Sequence, residues 1–169
     1  MYMINSTVNC SCDDCVSNKD GIIEVIHCGR VIECYQLVNG KLTGEYKTWY
    51  LKSGKLKSIK NYKDNKLNGY IQQWYSNGQL KNKELWIDNL KEGIDVDWYK
   101  DGTLKSIYSW KNSQFNGTCI NWYKDGKIEF ICNFKDNNKN GEYKEYNKDG
   151  ELIKHTYYKN NLNIGPTLV

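Results

Sequence analysis

Cysteine and histidine are the residues of this chain best suited to chemistry, and most of the candidates sit near its start. Cys10, Cys12 and Cys15 fall within six residues of one another, and Cys28 follows with His27 beside it. Thiolates at such spacing in a loop can wrap one tetrahedral Zn²⁺. The pattern lacks the paired C-x2-C form of a strong zinc signature, so a leader with reduced, unligated cysteines is the alternative reading. The other histidine, His155, stands alone, and no Ser or Cys nucleophile has a partner at a recognisable spacing. Nothing in these residues supports an enzyme or calls for a cofactor other than a structural zinc.

The second feature with chemical potential is aromatic. Trp-Tyr pairs recur at Trp49-Tyr50, Trp74-Tyr75, Trp98-Tyr99 and Trp122-Tyr123. Aromatic rows interleaved with Lys can stack on single-stranded nucleic acid or hold a peptide. They can also pack across strands and hold a thin sheet together. The row Trp49, Trp74, Trp98 and Trp122, with Trp86 and Trp110, is read as structural. The row Tyr50, Tyr75, Tyr99 and Tyr123 shares its face with polar groups and is the candidate interaction surface.

The glycines show what must position these rings. Gly29 and Gly44 are 15 residues apart, as are Gly54 and Gly69, Gly78 and Gly93, Gly102 and Gly117, Gly126 and Gly141, and Gly150 and Gly165. With intervals of 9 between most of these pairs, the period is 24 residues. Aromatics keep the same phase at Tyr62, Trp86, Trp110, Phe134 and Tyr158. Two extended runs around a tight turn make a β-hairpin. Ser53-Gly54, Asn77-Gly78, Asp101-Gly102, Asp125-Gly126 and Asp149-Gly150 put Gly where such a turn needs positive φ. Gly40, Asn65, Asn89, Ser113, Asn137 and Asn161 are the expected left-handed residues of the connections between hairpins.

The fold expectation is all-β: an elongated, twisted antiparallel sheet of about six successive hairpins over residues 29–169, preceded by a cysteine-containing leader at residues 1–28. A turn in which Tyr123 pairs with Lys127 and Trp122 with Ile128 assigns the side chains to faces by simple alternation. One face then carries Ile94, Val96, Trp98, Leu104, Tyr108 and Trp110, and in the next hairpin Ile120, Trp122, Ile128, Phe130, Cys132 and Phe134. The other carries Asp95, Asp97, Tyr99, Asn121 and Tyr123. Cys119 and Cys132 fall on opposite faces in this register, so no disulfide is expected between them. The apolar Trp face must curl on itself or dock against another surface. Polar residues at the outer hairpins fit the capping role of terminal repeats.

Runs such as Gly93 to Gly102, with Trp98-Tyr99 inside, followed by Trp110 and Gly117, resemble the variant MORN repeat. That repeat occurs in bacterial proteins labelled as antitoxin components and in large DNA viruses. The resemblance covers about Gly29 to Gly165 and implies a repeat scaffold without catalytic residues. Its implied partners are a protein, a toxin or effector, or a second copy of the chain. A ligand such as nucleic acid or a phosphoinositide is a further alternative. Choline- and glucan-binding cell-wall repeats also show Gly followed by Trp-Tyr, but their unit is nearer 20 residues and they belong to secreted proteins.

Composition limits the rest. A net charge of +4 with interspersed signs makes a poor footprint for duplex nucleic acid. No apolar run is long enough to span a bilayer as a helix. The polar start lacks the apolar core of a secretory signal, and seven cysteines is an odd count. Both point to a reducing, cytoplasmic setting. Abundant Lys, Asn, Ile and Tyr with Arg30 as the single arginine fit an AT-rich genome.

Overall fold

The computed structural model describes the short strand Val8–Asn9 and residues 20–165. All regular structure is β, with no helix among the described residues. The residues form two compact units. One runs up to Leu80 and includes Trp86–Asn89; the other comprises Lys81–Leu85 and continues from Leu90.

In the first unit, Gly21–His27 pairs antiparallel with Arg30–Val38, and Val8–Asn9 lies parallel beside Gly21–His27. The meander continues through Lys41–Leu42, Gly44–Trp49, Leu56–Lys63, Lys66–Leu67 and Gly69–Trp74. Its core is Ile23, Tyr35 and Leu37, packed on by Val25, Leu42 and Tyr46. The rings of Tyr35 and Tyr46 stack with centroids 5.0 Å apart. In the second unit, Leu90–Trp98 pairs with Leu104–Lys111, which pairs with Gln114–Phe115 and Gly117–Trp122. Ile128–Lys135, Asn138–Tyr146, Leu152–Lys159 and Leu162–Gly165 follow in order.

Two kinds of turn alternate. At the glycine turns, Tyr123 N donates to Lys127 O (2.8 Å) and Gly126 N to Tyr123 O (3.0 Å), as expected. At the connections both central residues are left-handed: Asp136 at φ 49° and Asn137 at 63°, or Asn112 at 51° and Ser113 at 59°. Two successive positive φ values are the type I′ signature, which suits the right-handed twist of the flanking strands. Ser113 thus adopts the same conformation as its asparagine counterparts.

The asparagines do more than tolerate this backbone. The side-chain oxygen of Asn137 accepts from Phe115 N at 2.8 Å, and Asn137 N donates back to Phe115 O at 3.0 Å. Asn65 to Leu42, Asn89 to Leu67 and Asn161 to Lys139 repeat the two-point clamp. Ser113 makes it to Lys91 through its hydroxyl, with Ser113 Oγ 2.9 Å from Lys91 N. Each turn is thereby tied to the previous turn on the same sheet end.

The face assignment needs correction, because the hairpins that turn at Gly29, Gly54, Gly102, Gly126 and Gly150 each carry a bulge just after the turn. Trp122 pairs with Ile128 as expected, but Asn121 pairs with Phe130, leaving Glu129 extra. Likewise Trp98 pairs with Leu104 and Asp97 with Ser106, skipping Lys105. One extra residue shifts the alternation and moves everything beyond it to the other face. Phe130, Cys132 and Phe134 therefore lie on the face of Cys119 and Asn121, not on that of Trp122. Tyr108 and Trp110 share the face of Asp95 and Asp97, not that of Trp98. Cys119 and Cys132, expected on opposite faces, are direct cross-strand partners, and both are free thiols. The most buried side chains of the second unit, Cys119 (0 % exposed), Cys132 (2 %), Ser106 (2 %), Asp95 (4 %) and Thr156 (4 %), all sit on this face.

Candidate functional site

The bulge gathers the large rings of the second unit onto one face. Trp110 lies against Phe115 (centroids 4.1 Å), and Phe115 touches Phe134 (5.3 Å) and Tyr108 (5.6 Å). Phe130 stacks towards Tyr143 at 6.3 Å, and Tyr143 meets Tyr158 edge-on at 5.8 Å. Offset and edge contacts at these separations are the favourable ones for ring quadrupoles. Between them opens a cavity of about 250 Å³, lined by Tyr108, Phe115, Phe130, Cys132, Phe134, Lys139 and Tyr143. The Tyr108 hydroxyl donates to Asn121 Oδ1 at 2.6 Å and the Tyr143 hydroxyl to Glu145 at 2.9 Å. Lys139 Nζ stands over the rings of Tyr143 (4.8 Å) and Tyr158 (5.1 Å), and Lys154 Nζ over Tyr143 at 5.4 Å. Burial pushes the Tyr143 phenol up, and its bond to Glu145 adds to the effect. The Cys132 thiol is raised by burial to about 11, so it is protonated and a poor nucleophile.

A polar cluster borders the aromatic face at Trp110. Lys91 Nζ lies 2.5 Å from Glu84, 2.7 Å from Asp95 and 4.5 Å from the Trp110 ring centroid. Asn82 Nδ2 donates to Asp95 (2.7 Å) and Asp97 (3.1 Å), and Ser106 Oγ donates to Asp97. Burial disfavours the Lys91 charge, but its bonds to Asp95 and Glu84 prevail and hold it protonated above the ordinary lysine range. Burial also raises Asp95, against the pull of Lys91. The ion cluster is therefore a packed structural element in which both partners bear a desolvation cost.

The sequence candidates are placed as follows. Tyr50, Tyr99 and Tyr123 are half-buried, and their hydroxyls donate to the backbone carbonyls of Trp74, Trp122 and Tyr146 in the next repeat, at 2.8 to 2.9 Å. Tyr75 is half-buried at the equivalent position. Trp49, Trp74, Trp98, Trp122, Trp86 and Trp110 are all half-buried, and in the second unit Trp98 and Trp122 lie on the face opposite the cavity. Cys10, Cys12 and Cys15 lie outside the described residues; Cys28 is exposed at a turn with φ 49°. Among the described residues no group of three His, Cys, Asp or Glu side chains is placed to hold a metal ion. Sequence reasoning missed Phe115, Lys139 and Tyr143 as members of the site and put Phe130 and Phe134 on the wrong face. A partial signal existed: the bulge position reads Lys57, Lys105 and Glu129, charged residues that do not belong in a core, but Ile32 and Ile153 at the same position break it.

A family model described as a MORN repeat variant matches residues 42–64, 67–88, 115–136 and 139–160, together more than half of the chain. The stretch between the second and third matches carries Lys91, Asp95, Asp97 and Ser113. No curated protein matches the chain.

Proposed function

We infer the function from one premise: the chain belongs to the MORN repeat variant family. Such a repeat is a module and not a known enzyme family, and the site geometry agrees with a binding role. The chain is a non-enzymatic scaffold that holds a protein partner on the aromatic face of its second unit. The observation that carries this reading is the cavity of about 250 Å³ walled by five aromatic rings and open on that face. Convergent aromatics in a concave site are where binding energy concentrates in protein interfaces. The antitoxin-labelled proteins that the sequence resembles supply one class of partner, a toxin or effector protein, and a toxin-like neighbouring gene would favour it. A second copy of the chain is the other partner of this kind. A reducing compartment fits this role, since it keeps Cys119 and Cys132 as thiols on adjacent strands.

The test is co-purification from the native source with two single variants. Phe130→Glu puts a charge in the cavity; Ile94→Glu puts one on the opposite face, where Ile94 is 52 % exposed. With both variants folded by circular dichroism, the partner recovered with the parent should be lost from Phe130→Glu and retained by Ile94→Glu. The reverse pattern would place the interface on the Trp98 face. Strong, salt-sensitive retention of the parent on oligonucleotide or anionic lipid, with no protein recovered, would favour a ligand-binding module instead.

A further inference from the structure

Resting on the reading that the aromatic face is the docking face, we propose that its cavity takes the large apolar side chain of an acidic peptide segment, whose flanking carboxylates meet Lys139 and Lys154. The size of the cavity, about 250 Å³, lies below the roughly 300–1,000 Å³ of small-molecule and cofactor sites. It suits one anchor side chain projecting from a longer chain.

The walls narrow the chemistry further. The hydroxyls of Tyr108 and Tyr143 are already bonded to Asn121 and Glu145. The cavity therefore presents ring faces and edges rather than hydrogen-bonding groups that would read a nucleobase. A bare aromatic cage would suit a quaternary ammonium. Here the ammonium groups of Lys139 and Lys154 already stand over the rings of Tyr143 and Tyr158, and they repel a cationic guest. Neither lysine has a carboxylate within ion-pair distance among the described residues, whereas Lys91 and Lys144 do. The rim thus carries two ammonium groups that make no ion pair, against the one carboxylate of Glu145, which the Tyr143 hydroxyl already engages, beside an apolar socket. An acidic segment with an aromatic or long aliphatic anchor complements both features.

The probe is a blocked peptide with one phenylalanine between two pairs of aspartates, titrated by NMR against the full chain. Its asparagine and alanine counterparts serve as comparisons. The aspartate peptide should perturb the Phe130 and Tyr143 resonances. Its affinity should fall about tenfold for the asparagine peptide and for Lys139→Gln in combination with Lys154→Gln. The exposed control Lys105→Gln should change nothing. Equal binding of aspartate and asparagine peptides, or no response to the double lysine variant, would overturn the acidic class while leaving the docking face standing. Binding of the alanine peptide as tightly as the phenylalanine peptide would overturn the anchor. So would displacement of the peptide by stoichiometric oligothymidylate. The docking face itself falls if the natural partner survives Phe130→Glu.

Discussion

Asn137→Gly and Asn137→Ala together separate the two things that the connecting asparagine does. In the structure Asn137 holds φ at 63° and its side-chain oxygen accepts from Phe115 N at 2.8 Å. Glycine keeps the backbone conformation and removes only the side-chain clamp. The lost bond lies at an exposed edge, where water can satisfy the freed N–H, so the cost is that of one ordinary hydrogen bond, about 0.5–1.5 kcal/mol. Alanine removes the clamp and adds the steric cost of a left-handed L-residue, about 1–2 kcal/mol more. The expected order is therefore parent, then glycine, then alanine, with a total loss near 2–3 kcal/mol for alanine. Urea unfolding followed by Trp fluorescence reads these as shifts of the midpoint at constant slope. Asn137→Asp keeps an acceptor at the same place and should lie close to the parent. A glycine variant as stable as the parent would show that the clamp contributes nothing and that asparagine is there for its backbone alone.

Lys91→Met leaves Glu84, Asp95 and Asp97 together without their cation, and should cost about 3–5 kcal/mol at neutral pH. The loss should shrink on acidification as the carboxylates protonate, which a pair of urea titrations at two pH values would show. Stability should fall in alkali. Burial raises Tyr46, Tyr108 and Tyr143 above the ordinary phenol range, and Cys132 from 9.0 to about 11. The folded state therefore binds protons that the unfolded chain releases, so stability is full below pH 9 and declines as pH rises to 11 and beyond. Unfolding midpoints measured across that range, with tyrosinate absorbance alongside, check the sign. For the leader cysteines, metal analysis of protein made without chelators should find zinc well below one atom per chain, unchanged by Cys12→Ser. One zinc per chain, lost in that variant, would make Cys10, Cys12, Cys15 and Cys28 a structural metal site.

The hairpins were legible because glycine and asparagine leave their mark wherever the backbone must turn left-handed. Gly126 and Asn137 could be assigned from their types and phase alone. The pairing of Trp122 with Ile128 followed from the turn geometry. What lay beyond the next residue did not follow, because a bulge has no residue requirement as strict as a turn's. Any side chain that tolerates exposure serves, and Lys105, Glu129 and Ile153 differ in every other property. Missing one residue per hairpin inverted the far half of each strand, and with it the location of Phe130, Phe134 and Trp110. Lys139 was invisible for a different reason. Its role depends on standing over Tyr143 and Tyr158, a contact set by neighbouring strands and not by its own surroundings in the chain.

Site-specific photo-crosslinking tests the aromatic docking face most directly. A benzophenone side chain is placed at Phe130 in one variant and at Ile94 in another, on opposite faces of the same unit. On irradiation in the native extract, the Phe130 position should yield one dominant adduct with a protein partner, and the Ile94 position none. A dominant adduct from Ile94 with none from Phe130 would contradict the account, and would assign the partner to the face of Trp98 and Trp122.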